Sequence, residues 1–266
     1  NDPHARLLAM DTLEPEVFRE LLPTHLRHRV EYEQIDVQHL TQRAYRDILR
    51  RRWDISPSDV DHVHWSAPCE SLSGASRGKE RVPHFIGNTP FSPVARSHMR
   101  ALKQVVATLD HFYKPGCSTL VTAENPGGKG KFNDLPEIQR LAHSGWQSFE
   151  ADHCAMRNIT LDPEPFPQKP TRWLALGNTS EEPIPRCRQA CTCRLDNGRH
   201  KVVVCRPHSH SPLDPRQKVQ SNIFDKYKIP QGAFQYFWSA HVVNASAPHP
   251  AVDTDNTCEH GHDAEV

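Results

Sequence analysis

Short apolar runs that each lead to an acid or a cysteine recur through the first two-thirds of the chain, with stretches of helical period between them. Arg6 to Met10 stops at Asp11, and Val30 to Val37 carries Asp36 near its end. Val60 to Trp65 leads through Ser66-Ala67-Pro68 to Cys69, and Ser118 to Ala123 runs into Glu124-Asn125-Pro126. Runs of this length read as buried strands. Between them Glu14 to Leu22 and Thr41 to Trp53 read as helices, the second Arg-rich with Thr41 as its N-cap. Pro93 to Phe112 is the strongest helical pattern, with Val94, Met99, Leu102, Val105, Val106 and Leu109 close to helical spacing. Pro136 to Ala142 adds a helix, and Phe149 to Met156 and Arg172 to Leu176 add later strands. The alternation predicts a doubly wound α/β fold, a mostly parallel sheet with helices on both faces. In open sheets of this kind ligands bind beyond the carboxyl ends of the strands. Asp11, Asp36, Cys69 and Glu124 all fall at such ends.

Composition narrows the reading further. A chain of 266 residues suits one large α/β domain with a small insert. Hydrophobic residues make up only 36%, and the 23 prolines agree with long loops or a disordered tail. Lys plus Arg equals Asp plus Glu at 32 each, so any nucleic-acid contact must come from a local basic patch rather than from the whole-protein field. No run of 18 apolar residues suggests a membrane span, and no secretory pattern opens the sequence. An intracellular site of action is expected, and a nucleus, an organelle, a bacterial cell and an infected cell are all compatible. Glu70 to Phe91 is polar and aperiodic and reads as a long functional loop.

Past Pro185 the character changes. Cys187, Cys191, Cys193, Cys205, His208 and His210 put six soft donors in a short stretch, and any four would furnish a tetrahedral zinc site; the alternative is a thiol-rich loop without metal. The expected organisation is a catalytic domain over 1–185, a Cys/His-rich insert over 186–215, a C-terminal helix within 216–243 and a disordered tail over 244–266.

Two motifs carry a family resemblance. Val63-His64-Trp65-Ser66-Ala67-Pro68-Cys69-Glu70-Ser71-Leu72-Ser73, followed by Gly74-Ala75-Ser76-Arg77-Gly78, resembles the Pro-Cys motif of DNA cytosine-5 methyltransferases, nearest the phage-type subgroup. Val121-Thr122-Ala123-Glu124-Asn125-Pro126 resembles that family's Glu-Asn-Pro segment. Asp152 to Arg157, Lys169-Pro170-Thr171-Arg172-Trp173 and Lys228-Ile229-Pro230-Gln231 resemble later elements in the same order, so the likeness runs over roughly residues 6 to 241.

The resemblance implies a Rossmann-like fold that uses S-adenosylmethionine to methylate C5 of a flipped cytosine in DNA. Cys69 is then the nucleophile that adds to C6, and Glu124 is the acid facing N3, a role that requires burial to raise its pKa. Arg157 matches a residue contacting the cytosine. Asp11, Asp36 and Pro68 match cofactor contacts. Ser71, Ser73, Arg77, Asn125, Pro126, Lys169 and Thr171 match substrate contacts. Base flipping is required because C6 is inaccessible within a duplex. The family's Phe-x-Gly-x-Gly loop has no counterpart, since no glycine precedes Gly74. The strand-like opening at Arg6 leads us to expect an N-terminally truncated chain. A catalytically silent nucleic-acid-binding relative and an RNA cytosine methyltransferase are the alternative readings, and a thiol hydrolase is a weaker one.

Overall fold

The computed structural model describes residues 6–22, 24–67, 71–72, 84–126, 132–157, 160, 170–177 and 187. Apart from Cys187, the expected insert, C-terminal helix and tail lie outside these residues. The described chain is a mixed α/β structure whose elements run β1 (Leu7–Asp11), α1 (Pro15–Leu21), β2 (Val30–Gln34), α2 (Gln42–Trp53), β3 (His62–Ser66), β4 (Phe85–Ile86), β5 (Thr89–Pro90), α3 (Pro93–Phe112), β6 (Leu120–Pro126), α4 (Pro136–His143), β7 (Gln147–Asp152) and β8 (Pro170–Leu176).

Among the described residues three sheets are formed. β1 and β2 pair in parallel, β4 and β5 make a short antiparallel hairpin, and four strands form a central sheet in the order β3-β6-β8-β7. The expected mostly parallel sheet needs correcting here. β3 and β6 are parallel, but β8 runs antiparallel to both β6 and β7, between which it lies. A strand buried on both faces carries no periodic mark of its direction, so an antiparallel insertion is invisible in the sequence. The pairing with β8 also extends β6 as far as Pro126 opposite Thr171. Glu124-Asn125-Pro126 is therefore part of the strand rather than a turn beyond it.

Local chemistry sets the helix boundaries. The Thr41 hydroxyl accepts from the Ala44 amide at 3.1 Å, and α2 closes on Asp54 at φ 55°. Ser92 caps α3 by accepting from the Ala95 amide at 3.0 Å, with Pro93 in the first helical position. That start sets the phase of the helix: Ala95, Met99, Leu102, Val106 and Leu109 are buried, while Val94 stays 37% exposed. Within the expected loop the Phe85–Ile86 and Thr89–Pro90 strands turn through Gly87 at φ 59°, a conformation that favours glycine.

The main core lies between α2, α3, α4 and one face of the central sheet, where Val121, Ala123, Leu174 and Leu176 meet Ile48, Leu102, Val106, Ile138 and Leu141. The opposite face carries a second cluster of Leu120, Ala151, Met156, Trp173 and Ala175. Helices on both faces are seen at the β1–β2 pair: Phe18 of α1 stacks on Tyr32 at 4.2 Å, and Arg51, Arg52 and Trp53 of α2 bond Glu33 and Glu31 on the alternate face. Among the described residues the helices packed on the central sheet lie on one face only. No described helix is long and apolar enough to cross a membrane.

A buried tyrosine pair locks α2 to the end of α3. The Tyr45 and Tyr113 hydroxyls are 2.8 Å apart, and Tyr113 donates to the Pro57 carbonyl at 3.3 Å. Burial pushes the Tyr45 phenol up to about 12 and raises Tyr113 as well, so both remain neutral hydrogen-bonding groups at ordinary pH. Tyr113→Phe leaves both the Tyr45 hydroxyl and the Pro57 carbonyl short of a partner and should cost ~1–3 kcal/mol. Tyr45→Phe spares the bond to Pro57 and should cost less, which urea denaturation of the two variants will measure.

Candidate functional site

The parallel register of β3 and β6 puts Ser66 opposite Glu124. One residue further on, the chain is held twice. The Ala67 amide donates to the Glu124 carbonyl at 3.3 Å, and the Asn125 side-chain amide donates to the Ala67 carbonyl at 3.2 Å. All three residues are buried, Asn125 completely and Glu124 to 8% exposure. The Asn125 side-chain oxygen Oδ1 is buried with no hydrogen-bond partner among the described residues. Two expected neighbours thus meet: the segment leading into Pro68-Cys69 and the Glu124-Asn125 pair. Pro68 and Cys69 themselves lie outside the described residues.

Alternation along the strands sorts the side chains. Val63, Trp65, Val121 and Ala123 pack into the main core, so His62, His64 and Ser66 share the other face with Thr122, Glu124, Trp173 and Thr171. On that face the Thr122 hydroxyl lies 2.9 Å from Nε2 of His62 and 3.0 Å from Nδ1 of His64. Nε2 of His64 reaches the Ser66 hydroxyl at 3.1 Å, and its ring lies 5.8 Å from that of Trp173. Some of the residue's surface is open, but the ring is enclosed by these contacts. Desolvation, aided by the neighbouring His62, lowers its pKa from 6.5 to about 3. His64 is a neutral link in a polar chain that ends at Ser66, the register partner of Glu124.

A second set of contacts ties the site to α3. Ser71, buried to 4% exposure, lies with its hydroxyl 2.8 Å from Nδ1 of His98. Leu72 beside it is 1% exposed. On the adjoining residue of α3, the Ser97 hydroxyl accepts from the Gln38 side-chain amide at 3.2 Å, and Arg100 donates to the Gln38 side-chain carbonyl at 2.9 Å. Gln38 in turn occupies Asp36, its backbone amide donating at 2.9 Å to one carboxylate oxygen and its side chain at 3.2 Å to the other. Asp36 and Ser71 therefore dock on neighbouring residues of one helix. Asp11 lies beside Asp36, since the Ile35 amide donates to the Asp11 carbonyl at 2.8 Å. One Asp11 carboxylate oxygen caps a turn by accepting from the amides of Thr12 at 2.6 Å and Leu13 at 3.1 Å.

The remaining sequence candidates are scattered. Thr171 is fully buried opposite Pro126, and Arg157 is half-buried past the turn that follows β7. Ser73, Arg77 and Lys169 fall outside the described residues, as do Cys191, Cys193, Cys205, His208 and His210. Cys187 is described, and its amide donates to the Asp152 carboxylate at 2.8 Å. Among the described residues no three His, Cys, Asp or Glu side chains converge as a metal site. Sequence reasoning passed over His64, Thr122 and His98. Strand alternation through His62, His64 and Ser66 could have flagged the first. Nothing in the helical pattern marks His98.

No protein-family model matches the chain, and no curated protein matches it. Among solved structures, the chain is similar to the Dnmt2 methyltransferase of S. pombe, at 16% identity and a TM-score of 0.38, over 68% of this chain and 44% of that one. It is also similar to a mutant DNMT2 of Spodoptera frugiperda, at 15% identity and a TM-score of 0.36, over 68% of this chain and 45% of that one. The chain thus spans less than half the length of either.

Two outcomes follow from the geometry. Asn125→Asp replaces the donor to the Ala67 carbonyl with an acceptor and should cost ~2–4 kcal/mol in chemical denaturation, more than Asn125→Ala. For His64, the unfolded chain binds a proton that the folded chain refuses between pH 6.5 and about 3. Its contribution to stability is complete above pH 6.5 and is lost as pH falls through that window, at up to ~1.4 kcal/mol per pH unit. His64→Gln should flatten the fall in urea midpoint between pH 6 and pH 4, roughly the accessible part of this window.

Proposed function

We propose that this protein methylates C5 of cytosine in nucleic acid, with DNA as the substrate to which the motif resemblance points. The observation that carries the reading is the double hydrogen bond between Ala67 and Glu124-Asn125. Cys69 is two residues beyond Ala67, so covalent reach alone keeps its Cα within ~7 Å of that clamp. In this reading the Cys69 thiol and the Glu124 carboxyl group would address one pyrimidine ring, the first from C6 and the second from N3.

In this reading the Cys69 thiolate adds to C6, which breaks the aromaticity of the ring and makes C5 nucleophilic. Glu124 donates a hydrogen bond or proton at N3, offsetting the negative charge that develops there. After methylation a solvent base takes the C5 proton, its electron pair re-forms the C5–C6 double bond, the Cys69 thiolate leaves, and any proton given to N3 returns to Glu124. Asn125 and Pro126 shape the pocket wall. By the motif resemblance Arg157 would contact the cytosine and Thr171, opposite Pro126, would contact the substrate.

S-adenosylmethionine would supply the methyl group. The donor set at the tips of β1 and β2 fits its polar ends in part. Asp11 keeps one carboxylate oxygen outside its turn, suited to a ribose hydroxyl. Each Asp36 oxygen accepts from Gln38 and retains acceptor capacity for an adenine amine. The motif resemblance adds Pro68 as a further cofactor contact.

Covalent trapping tests the proposal. Wild-type protein mixed with S-adenosylmethionine and a 5-fluorocytosine oligonucleotide should give an adduct that survives denaturing electrophoresis. Cys69→Ser should abolish it, and Glu124→Gln should slow it by ~10²–10³-fold. Trapping on RNA alone transfers the reading to the RNA substrate. An adduct undiminished in Cys69→Ser, or no adduct with either polymer, ends the proposal.

A further inference from the structure

Asp36 is held more firmly than a turn requires. It stands just before the short turn Val37–His39, and one of its carboxylate oxygens closes that turn by accepting from the Gln38 amide at 2.9 Å. That bond alone completes the cap. The other oxygen accepts from the Gln38 side chain at 3.2 Å, a bond the turn does not need. Asp11, at the tip of the neighbouring strand, gives the contrast. There the Thr12 and Leu13 amides and the Thr12 hydroxyl all bond the same oxygen, Oδ1.

The Gln38 amide is itself set by α3. Nε of Arg100 donates to its Oε1 at 2.9 Å, and its Nε2 donates to the Ser97 hydroxyl at 3.2 Å as well as to Asp36. A guanidinium can only donate, so it fixes which end of the amide carries the oxygen and turns the NH2 end toward Asp36 and Ser97. Ser97 and Arg100 lie three residues apart on one side of the helix, while Met99 and Leu102 are seated in the main core. The relay from Arg100 through Gln38 thus starts on a rigid helix and ends on a carboxylate just past β2.

We infer that Gln38, oriented by Arg100, is a positioning residue which fixes the plane of the Asp36 carboxylate for an adenine amine. This rests on Asp36 being a contact of S-adenosylmethionine in the proposed function. Neither Gln38 nor Arg100 touches the adenine in this scheme. A carboxylate held through both oxygens keeps its remaining acceptor positions pointed one way, so an amine can bond without first ordering the side chain. With Gln38 truncated, Asp36 still caps its turn through the backbone, but its second oxygen is released. The loss falls on ligands that present an amine there. A purine with an oxo group in the amine's place offers an acceptor to an acceptor and gains nothing from the alignment.

Isothermal titration of the full chain tests this with S-adenosylhomocysteine and with its inosine counterpart, in which an oxo group replaces the amine. The wild-type chain should prefer the adenine form by ~10-fold or more. Gln38→Ala should weaken the adenine form by ~3–10-fold and leave the inosine form within about twofold, so that most of the preference disappears. Arg100→Ala should move the same ratio in the same direction. The Gln38→Ala/Arg100→Ala double variant should bind no more weakly than Gln38→Ala, because Arg100 acts through Gln38. Equal weakening of both forms in Gln38→Ala, an unchanged preference, additive losses in the double variant, or a wild-type chain that binds neither form overturns the inference. The 5-fluorocytosine adduct is read separately. A preference that is lost in Gln38→Ala, with no adduct from the wild-type chain, retires the methylation reading and leaves the positioning intact. An adduct with the preference kept in Gln38→Ala retires the positioning alone.

Discussion

The double hydrogen bond between Ala67 and the Glu124-Asn125 pair is the contact on which the rest of the site depends. Where the β3–β6 ladder would end, the Ala67 amide still finds the Glu124 carbonyl, but its own carbonyl needs a donor in a place that water does not reach. The Asn125 side chain provides it without introducing a charge. An aspartate has no proton to give at that position, and an alanine leaves the carbonyl unsatisfied. The choice of asparagine is therefore a requirement of strand termination as much as of any chemistry at the site.

Burial of the acid has a different origin. β8 enters the sheet antiparallel between β6 and β7 and extends β6 through Pro126. Glu124 thus lies inside a paired strand opposite Trp173, rather than at a solvated strand tip. The same face carries the neutral His64 link between Thr122 and Ser66. A histidine kept from protonation by desolvation keeps a fixed pattern of donors and acceptors beside the acid across the ordinary pH range.

Helix α3 joins the two halves of the arrangement. Its apolar stripe belongs to the core, and its polar residues near the start receive Gln38, and through it Asp36, as well as Ser71 and His84. A single element with a rigid seat thereby fixes the tip of β2 relative to the segment that follows Cys69. The arginines at the end of α2 serve a structural purpose, since Arg51 and Arg52 pair with Glu33 and dock the helix on β2.

Much of this was legible from residue order. The spans of α2 and α3, the Thr41 cap and the presence of a strand leading into Glu124 follow from period and capping chemistry, which act within a few residues. So does the prominence of Pro68-Cys69 and Glu124-Asn125 as successive strand-end motifs. Other features arise only when distant segments meet. Strand direction in the central sheet, the enclosure of Glu124, the Asn125 bond to Ala67 and the pairing of Ser71 with His98 each join residues far apart in the chain. Periodicity reports which side of an element is apolar, and it is silent on which neighbour covers that side. The sequence determined where the reactive residue types stand along the chain. The tertiary structure decided which of them meet, because hydrogen bonds and burial act through space.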